Sequence, residues 1–444
     1  MSTSSRNIDR IDAIFDDPNS VGNAGLILAA TLIKRLGLEA LINQRVRLTG
    51  REGGSRPGRK VLTLVCAIIA GATHIDHVDI LRAGATERVL AFRVMAPSTI
   101  GTFLRCFTFG HVRQLDAVAD RVLQRVWSLG AGPAPGEALV IDVDSTITEV
   151  HGHHKQGAAY GYTRQLGYHP LLATRAGTGE VLHARMRKGS AGSSRGVVRF
   201  VDELVARLRR AGADGQITLR ADSGFWSWKL IDALDRHGVL WSITVTQNTA
   251  IRAAIAAIPE TAWADIDYTL GGKAQVAECG YVTGQRGGQR RVRLVVRRTR
   301  LTGHQAQLFP DWRHHAFITN TEHDTVTADA FHRNHAVVEL AIRDLKEGAG
   351  LEHCPSGHYS ANAAWLACAV LAHNLLRWTD TLGATAEQHA RWNHATMRTR
   401  LINIAATLVN RSGRPTLRLP LDWPWTDRFT ATLTALRALP APSG

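Results

Sequence analysis

This sequence lacks cysteine pairs and long apolar runs, and it contains little lysine for so basic a protein. Its five cysteines, at positions 66, 106, 279, 354 and 368, are scattered, and no CxxC pair occurs. This spacing argues against a disulfide framework and against a cysteine-based zinc site. No apolar run reaches the roughly 18 residues of a membrane span, and the N-terminus MSTSSRNIDR lacks the apolar stretch of a signal peptide. We therefore expect a soluble intracellular protein with no membrane partner.

Positive charge is abundant, although only seven of the 53 Lys and Arg residues are lysines. A GC-rich genome explains most of the arginine excess, but it does not explain a net charge of +15. Arginine suits bidentate contact with phosphate better than lysine does. The charge therefore indicates a polyanionic partner, and nucleic acid is the first candidate.

The hydrophobic pattern changes twice along the 444 residues. Helical periodicity dominates until the break AGPAPGE at 131–137, after which strand-like and helix-like segments alternate. That alternation predicts a mixed α/β core. The predicted stretches are a helical N-terminal region at 1–130, an α/β region at 137–380 with an antiparallel β insertion at about 246–320, and a helical and extended tail at 381–444.

Two aspartates interrupt the apolar strand pattern ALVIDVDSTI. Alternate residues of a strand share a face, so Asp142 and Asp144 are predicted to lie on one face, about 6.6 Å apart. Asp222 has the same context, because it ends the apolar run QITLRAD and precedes Ser-Gly. Ligand sites gather at such strand ends in open α/β sheets. The alternative for Asp142 and Asp144 is that one of them only caps the turn that follows.

A third acid lies in a predicted helix at 327–348. At 100° per residue, one stripe of this helix carries Glu339 together with four potential cations, which are His332, His335, Arg343 and Lys346. A solvated face with an ion pair between Glu339 and Arg343 is the alternative. Apolar residues flank the stripe, however, and a fully solvated helix would not need them.

Together, the three acids predict a site for divalent metal. Two or three carboxylates hold a pair of Mg²⁺ ions about 3.5–4 Å apart, and such a pair stabilises both oxygens in phosphoryl transfer. Neighbouring basic groups position a phosphate backbone without reading its sequence. The residues thus predict metal-dependent chemistry on a phosphodiester.

The order strand-Asp, strand-Asp, helix-Glu resembles the DDE transposases, which have an RNase H-like fold. Longer motifs resemble insertion-sequence family thirteen-eighty over nearly the whole chain; they are NAGLILAA, APSTIGTFLRCF, IDVDSTITEVHG, AAYGYTRQLGYHPLL, RADSGFW, ELAIRDLKEG and LRLPLDWPW. The resemblance implies an RNase H-like mixed sheet with an antiparallel β insertion, preceded by an all-α N-terminal domain. It also implies Mg²⁺, replaceable by Mn²⁺, as the cofactor and double-stranded DNA as the partner.

The resemblance further implies that Asp144, Asp222 and Glu339 are catalytic and bind metal, with Asp142 as a further metal ligand or the alternative first acid. In the family's Tyr, Arg, Glu, Lys helix pattern, Lys346 matches the lysine. His332 and His335 depart from the tyrosine and the arginine. The candidate DNA or phosphate contacts are His332, His335, Arg343, Lys346, Trp226 and Arg164.

Two other motifs have more than one interpretation. The turn HGHHK at 151–155 lacks a second ligand group, so a DNA-facing basic turn is favoured over zinc. The strand RRVRLVVRR either contacts DNA or is a charged edge strand that prevents aggregation. Trp226 either stacks on a base or packs in the core.

These features predict a transposase that cleaves at the terminal inverted repeats of its insertion sequence and transfers the 3′ ends to target DNA. We expect a homodimer on DNA in the bacterial cytoplasm, near the nucleoid. A DNA-binding relic that no longer cleaves and a structure-selective nuclease of the same fold are the alternatives.

Overall fold

The computed structural model describes residues 8–48, 50–152, 154–161, 163–267, 272–283, 289–301, 312–383 and 392–442. After a two-residue strand, β1 (Ser20–Val21), the first part of the chain is helical. Its α-helices are α1 (Leu26–Arg35), α2 (Leu38–Arg45), α3 (Pro57–Ala70), α4 (Thr86–Leu90), α5 (Pro97–Arg105) and α6 (Phe109–Val126). Helix α5 starts at Pro97, so Ser98 and Thr99 lie inside its first turn and Ala96 is the N-cap.

A five-stranded core follows the break at 131–137. Its strands are β2 (Leu139–Ser145), β6 (Leu171–Arg175), β7 (Val181–Arg185), β8 (Ile217–Ala221) and β9 (Leu240–Thr244). Three short strands, β3 (Thr148–Glu149), β4 (Ala159–Tyr160) and β5 (Leu166–Tyr168), form a small separate sheet after β2.

The core strands lie in the order β7-β6-β2-β8-β9. Strands β2, β8 and β9 are parallel, whereas β6 is antiparallel to β2 and β7 is antiparallel to β6. Helices α7 (Val197–Ala211) and α8 (Trp228–Arg236) make the crossovers that parallel pairing requires. This order and these directions confirm the predicted RNase H-like fold.

The β insertion continues the core sheet instead of forming a sheet of its own. Strands β10 (Ala264–Asp265), β11 (Gly272–Thr283), β12 (Arg290–Leu301) and β13 (Arg313–Thr319) pair antiparallel, and β13 pairs with β9 to complete nine strands. We expected β structure from about residue 246 onward. The first part of that segment is instead a helix, α9 (Thr249–Ala256). The side chain of Asn248 caps this helix by accepting a hydrogen bond from Ile251 N at 3.0 Å.

The predicted helix at 327–348 is two helices. Helix α10 (Thr325–Arg333) ends in a 3₁₀ turn at Asn334–Ala336, and α11 (Val337–Gly348) follows. Next comes the long buried helix α12 (Tyr359–Gly383). The tail contains α13 (His394–Met397), the hairpin β14 (Ala406–Arg411) and β15 (Arg414–Arg418), and α14 (Thr426–Ala438). Residues 384–391, where we predicted the start of a helix, lie outside the described ranges.

One cluster of buried apolar side chains runs through the helical region, the sheet and the tail, from Leu26 to Leu436. Helix α12 lies at its centre and packs against α3, α6 and α14. The division into stretches at 1–130, 137–380 and 381–444 remains an interpretation of the sequence. Among the described residues, no single helix is long and apolar enough to cross a membrane, although the bent pair Pro57–Ala70 and Ile75–Arg82 reaches that length and composition.

Candidate active site at the ends of two parallel strands

Two of the predicted acids lie at the carboxyl ends of neighbouring parallel strands. The last register pair of β2 and β8 is Val143 with Ala221, and the next residue in each chain is Asp144 and Asp222. Neighbouring strands lie about 4.8 Å apart. The apolar runs bury the strands in the sheet, and the acids come where each strand leaves it. This geometry brings Asp144 and Asp222 to one edge of the sheet, as the sequence predicted.

Each of these carboxylates also accepts a local hydrogen bond. Ser145 N donates to Asp144 Oδ1 at 2.6 Å. Gly224 N donates to Asp222 Oδ1 at 3.0 Å, which makes Asp222 the N-cap of a 3₁₀ turn at Ser223–Phe225. Asp222 therefore caps a turn, a role considered from the sequence only for Asp142 and Asp144. This does not exclude a second role, because the Asp222 side chain is exposed.

Glu339 completes an electrostatic cluster with the two aspartates. It lies in the first turn of α11, is exposed, and belongs to a helix that packs against β2. Burial, together with the negative charges of Asp222 and Glu339, raises the pKa of Asp144 to about 6. The Ser145 amide and His335 oppose this rise. The three predicted acids are thus close enough to interact electrostatically, and this interaction disfavours the ionised form of Asp144.

Asp142 lies one layer deeper than Asp144 and has a different environment. It is 1% exposed, and Arg220 holds both of its oxygens, through Nε at 2.7 Å and Nη2 at 2.9 Å. His335 Nδ1 donates to Asp142 Oδ1 at 2.9 Å. These contacts engage both oxygens of the side chain within the protein. They favour Asp144 over Asp142 as the first acid and as a metal ligand, and the role of Asp142 stays a prediction.

The predicted stripe of four cations on one helix does not form, because the 3₁₀ turn separates α10 from α11. His332 turns inward and stacks on Phe317 with ring centroids 4.1 Å apart. Ser242 Oγ lies 2.8 Å from His332 Nδ1, and Thr244 Oγ1 lies 2.9 Å from Nε2. Burial lowers the pKa of His332 to about 3. A neutral ring with both nitrogens bonded is poorly suited to bind phosphate as a cation, and phosphate contact by His332 stays a prediction.

Of the other candidate phosphate contacts, His335 is 14% exposed and binds Asp142 within the protein. The remaining four lie at or near the surface. Arg343 is exposed on α11, and Arg164 is exposed in the loop between β4 and β5. Lys346 lines an open polar cavity of about 500 Å³ together with His74, His151, Lys155 and His353. Trp226 is half-buried and meets Trp228 edge to face, with centroids 5.3 Å apart. Their contact with DNA remains a prediction.

The arginines of RRVRLVVRR mostly bind acids within the protein. Strand β12 is central in the sheet, between β11 and β13, so it is not an edge strand. Arg293 pairs with Glu278, and Arg297 pairs with Asp329. Arg298 is buried between Trp263 and Trp312 and binds Glu260 at 2.7 Å. These pairs hold the insertion together, and this finding weakens the prediction that the strand as a whole contacts DNA.

The donor set at the strand ends suits a hard divalent cation, because Asp144, Asp222 and Glu339 offer only carboxylate oxygens. The negative charges of Asp222 and Glu339 also disfavour the ionised form of Asp144, and a bound cation would offset this repulsion. Within the described ranges, no three His, Cys, Asp or Glu side chains are close enough together to hold a metal ion. His153 of the HGHHK turn lies outside those ranges.

Arg220 is the residue of this site that the sequence reasoning missed. It precedes Asp222 by two residues, just as Asp142 precedes Asp144. The sequence did indicate its importance, because a charged residue inside the apolar run QITLRA needs a buried partner. Asp142, which occupies the equivalent position in β2, is that partner.

Comparisons with known proteins identify a family for this chain. A family model described as transposase DDE domain group 1 matches residues 4–441. No curated protein matches the chain. Among solved structures, the chain is similar to a piggyBac transposase in a synaptic complex with hairpin DNA, at 12% identity and a TM-score of 0.45. That alignment covers 87% of this chain and 79% of the other.

Proposed function

We propose, from the premise that this chain belongs to the transposase DDE domain group 1 family, that it cuts DNA at the ends of its own insertion sequence. It would then join the freed 3′ ends to target DNA. The finer resemblance to insertion-sequence family thirteen-eighty remains part of this proposal. The observation that supports it most directly is that Asp144 and Asp222 come at the ends of neighbouring parallel strands of an RNase H-like sheet, with Glu339 near enough to raise the pKa of Asp144.

The three acids have distinct roles in this proposal. Asp144 and Asp222 are fixed by their strands and would bind divalent cations, and Glu339 would complete the set from α11. When bound, Mg²⁺, or Mn²⁺ in its place, would stabilise the attacking and leaving oxygens of an in-line displacement. Although the pKa of Asp144 is raised to about 6, its carboxyl is still ionised at pH 8 and can bind a cation.

Surface cations would position the DNA. Arg343 and Lys346 lie on the helix that carries Glu339, and Arg164 lies in the loop between β4 and β5. The net charge of +15 suits a long phosphate backbone. The N-terminal helices would recognise the terminal inverted repeats. Since transposition requires two ends to be paired, a homodimer on DNA is expected, acting in the bacterial cytoplasm near the nucleoid.

The test is cleavage of a labelled duplex that carries the element's end, with Mg²⁺ and with EDTA. Glu339→Gln should bind this duplex as the wild type does and should cut it at least about a hundredfold more slowly. Glu347→Gln is the matched control, because Glu347 is an exposed glutamate on the same helix. Retained cleavage in Glu339→Gln would remove Glu339 from the catalytic set.

Two alternative functions give different results in the same assay. A DNA-binding relic would bind the end and cut it in neither Mg²⁺ nor Mn²⁺. The loss of the helical stripe and the inward position of His332 are the observations that favour it. A structure-selective nuclease would cut without preference for the element's end and would give no strand transfer.

A further inference from the structure

A buried ion pair connects the strands of the candidate site to the helix that carries Glu339. Arg220 and Asp142 are register partners on β8 and β2, with side chains 3% and 1% exposed. Each lies two residues before a proposed catalytic acid, on the same face of its strand. The pair therefore lies directly beneath Asp222 and Asp144, one layer into the core.

Arg220 has more donors than the carboxylate uses, and the rest bind the end of α10. Its Nη1 donates to Phe331 O at 2.5 Å, and its Nη2 donates to Asn334 O at 3.3 Å. The guanidinium also lies 5.0 Å from the centre of the Phe331 ring. The last carbonyls of a helix lack partners within the helix and carry its negative dipole end, so a cation there is favourable.

His335 adds a second connection from the same turn. It lies in the 3₁₀ segment Asn334–Ala336, and its Nδ1 donates to Asp142 Oδ1 at 2.9 Å. Glu339 follows one helical turn later, in the first turn of α11. Of the first residues of that helix, Val338 packs in the core, whereas Ala336, Val337, Glu339 and Leu340 are exposed. The bonds to Arg220 and Asp142 thus fix where α11 begins relative to the strands.

We infer that Asp142, Arg220 and His335 are positioning residues that set Glu339 against Asp144 and Asp222. They touch neither DNA nor cation and act only through the α10–α11 junction. The inference rests on the proposed function for its catalytic consequence. The structural part of the inference is that these three residues hold the α10–α11 junction in place, and it does not depend on a bound cation.

The primary variant is His335→Ala, because the His335 side chain is only partly buried and its loss should not unfold the protein. Hydrogen exchange of metal-free protein should become several-fold faster in peptides that cover residues 331–342, with the core sheet unchanged. His335→Asn should reverse most of this effect, since the Asn amide can donate to Asp142. His358→Ala, which changes an exposed histidine between α11 and α12, is the matched control.

Cleavage supplies the second measurement. In His335→Ala, the Mg²⁺ concentration for half-maximal cleavage should rise about 10- to 100-fold, as it does when the outer partners of metal ligands are lost. Binding to the element's end and the melting temperature should match the wild type. Arg220→Lys keeps the charge without the forked donor geometry and should give a larger effect.

The outcomes separate this inference from the proposed function. If wild type cleaves and Glu339→Gln does not, but His335→Ala has normal exchange and normal Mg²⁺ dependence, the positioning role is wrong. If wild type cleaves in no metal, the proposed function fails. Faster exchange at 331–342 would even then support the connection from His335 to the junction.

Discussion

Replacing Asp144 with asparagine is expected to stabilise the metal-free protein at pH 8. The pKa of this carboxyl rises from an ordinary value of 3.8 to about 6, first through burial and then through the charges of Asp222 and Glu339. A difference of about 2.2 in pKa corresponds to about 3 kcal/mol. Asparagine is neutral and keeps an Oδ1 for the hydrogen bond from Ser145 N. The variant should therefore gain up to about 3 kcal/mol in free energy of unfolding.

The pH dependence of this gain follows from the sign of the difference. Between pH 3.8 and pH 6, folded Asp144 binds more protons than unfolded Asp144, so the folded wild type loses stability as the pH rises through this window. Above pH 6 the loss is complete. The advantage of Asp144→Asn should thus be full at pH 8 and about half as large at pH 5.

Urea unfolding in EDTA, followed by tryptophan fluorescence at both pH values, measures this difference. Asp142→Asn is the matched control, because it makes the same chemical change two residues earlier in the same strand. There the carboxylate is paired with Arg220, and losing its charge should destabilise the protein by about 3 kcal/mol. Adding Mg²⁺ should stabilise the wild type more than Asp144→Asn. Equal or lower stability of Asp144→Asn at pH 8 would refute the reasoning.

Two further predictions concern the helices on either side of the 3₁₀ turn. His332→Ala should lower the melting temperature without changing the salt dependence of DNA binding, and a smaller salt slope would restore His332 as a phosphate contact. Because burial lowers the folded pKa of His332 to about 3, its contribution to stability should be full above pH 6.5 and should decline as the pH falls toward 3. Arg343→Ala should instead reduce the salt slope by about one, measured by filter binding over a salt series, with stability unchanged. An unaltered slope would show that Arg343 does not contact phosphate.

The sequence was sufficient to predict the strand ends, because apolar runs that stop at an acid are a local pattern. Asp144 and Asp222 needed only the alternation of a strand and the rule that parallel strands end together. The cap of α9 was equally local, since Asn248 precedes an alanine-rich segment. We missed it because the β character of the following 60 or so residues dominated the assignment.

The break between α10 and α11 could not be predicted from local pattern. Residues 325–348 contain no proline, and their only glycine, Gly348, is the last residue of α11. The interruption coincides with the two carbonyls, of Phe331 and Asn334, that bind the guanidinium of Arg220, which is more than 100 residues away in sequence. The partners of the β12 arginines are distant in the same way, since Arg298 finds Glu260 across 38 residues. Periodicity reports which face a residue occupies but not which partner it will meet there.

The spacing of two residues in both strands has a consequence for the register of the sheet. Asp142 and Asp144 share a face of β2, and Asp222 follows the end of β8 two residues after Arg220, so each strand brings one supporting residue and one acid to the proposed site. A slip of one residue in β2 alone would turn both of its acids to the opposite face. Arg220 would then be a buried charge without a carboxylate partner, bonded only to the carbonyls of Phe331 and Asn334, at a cost of several kcal/mol. The buried pair therefore fixes the register, and the register brings Asp144 beside Asp222. For this reason we expect substitutions at Arg220 to disturb the chemistry even though its side chain is 3% exposed.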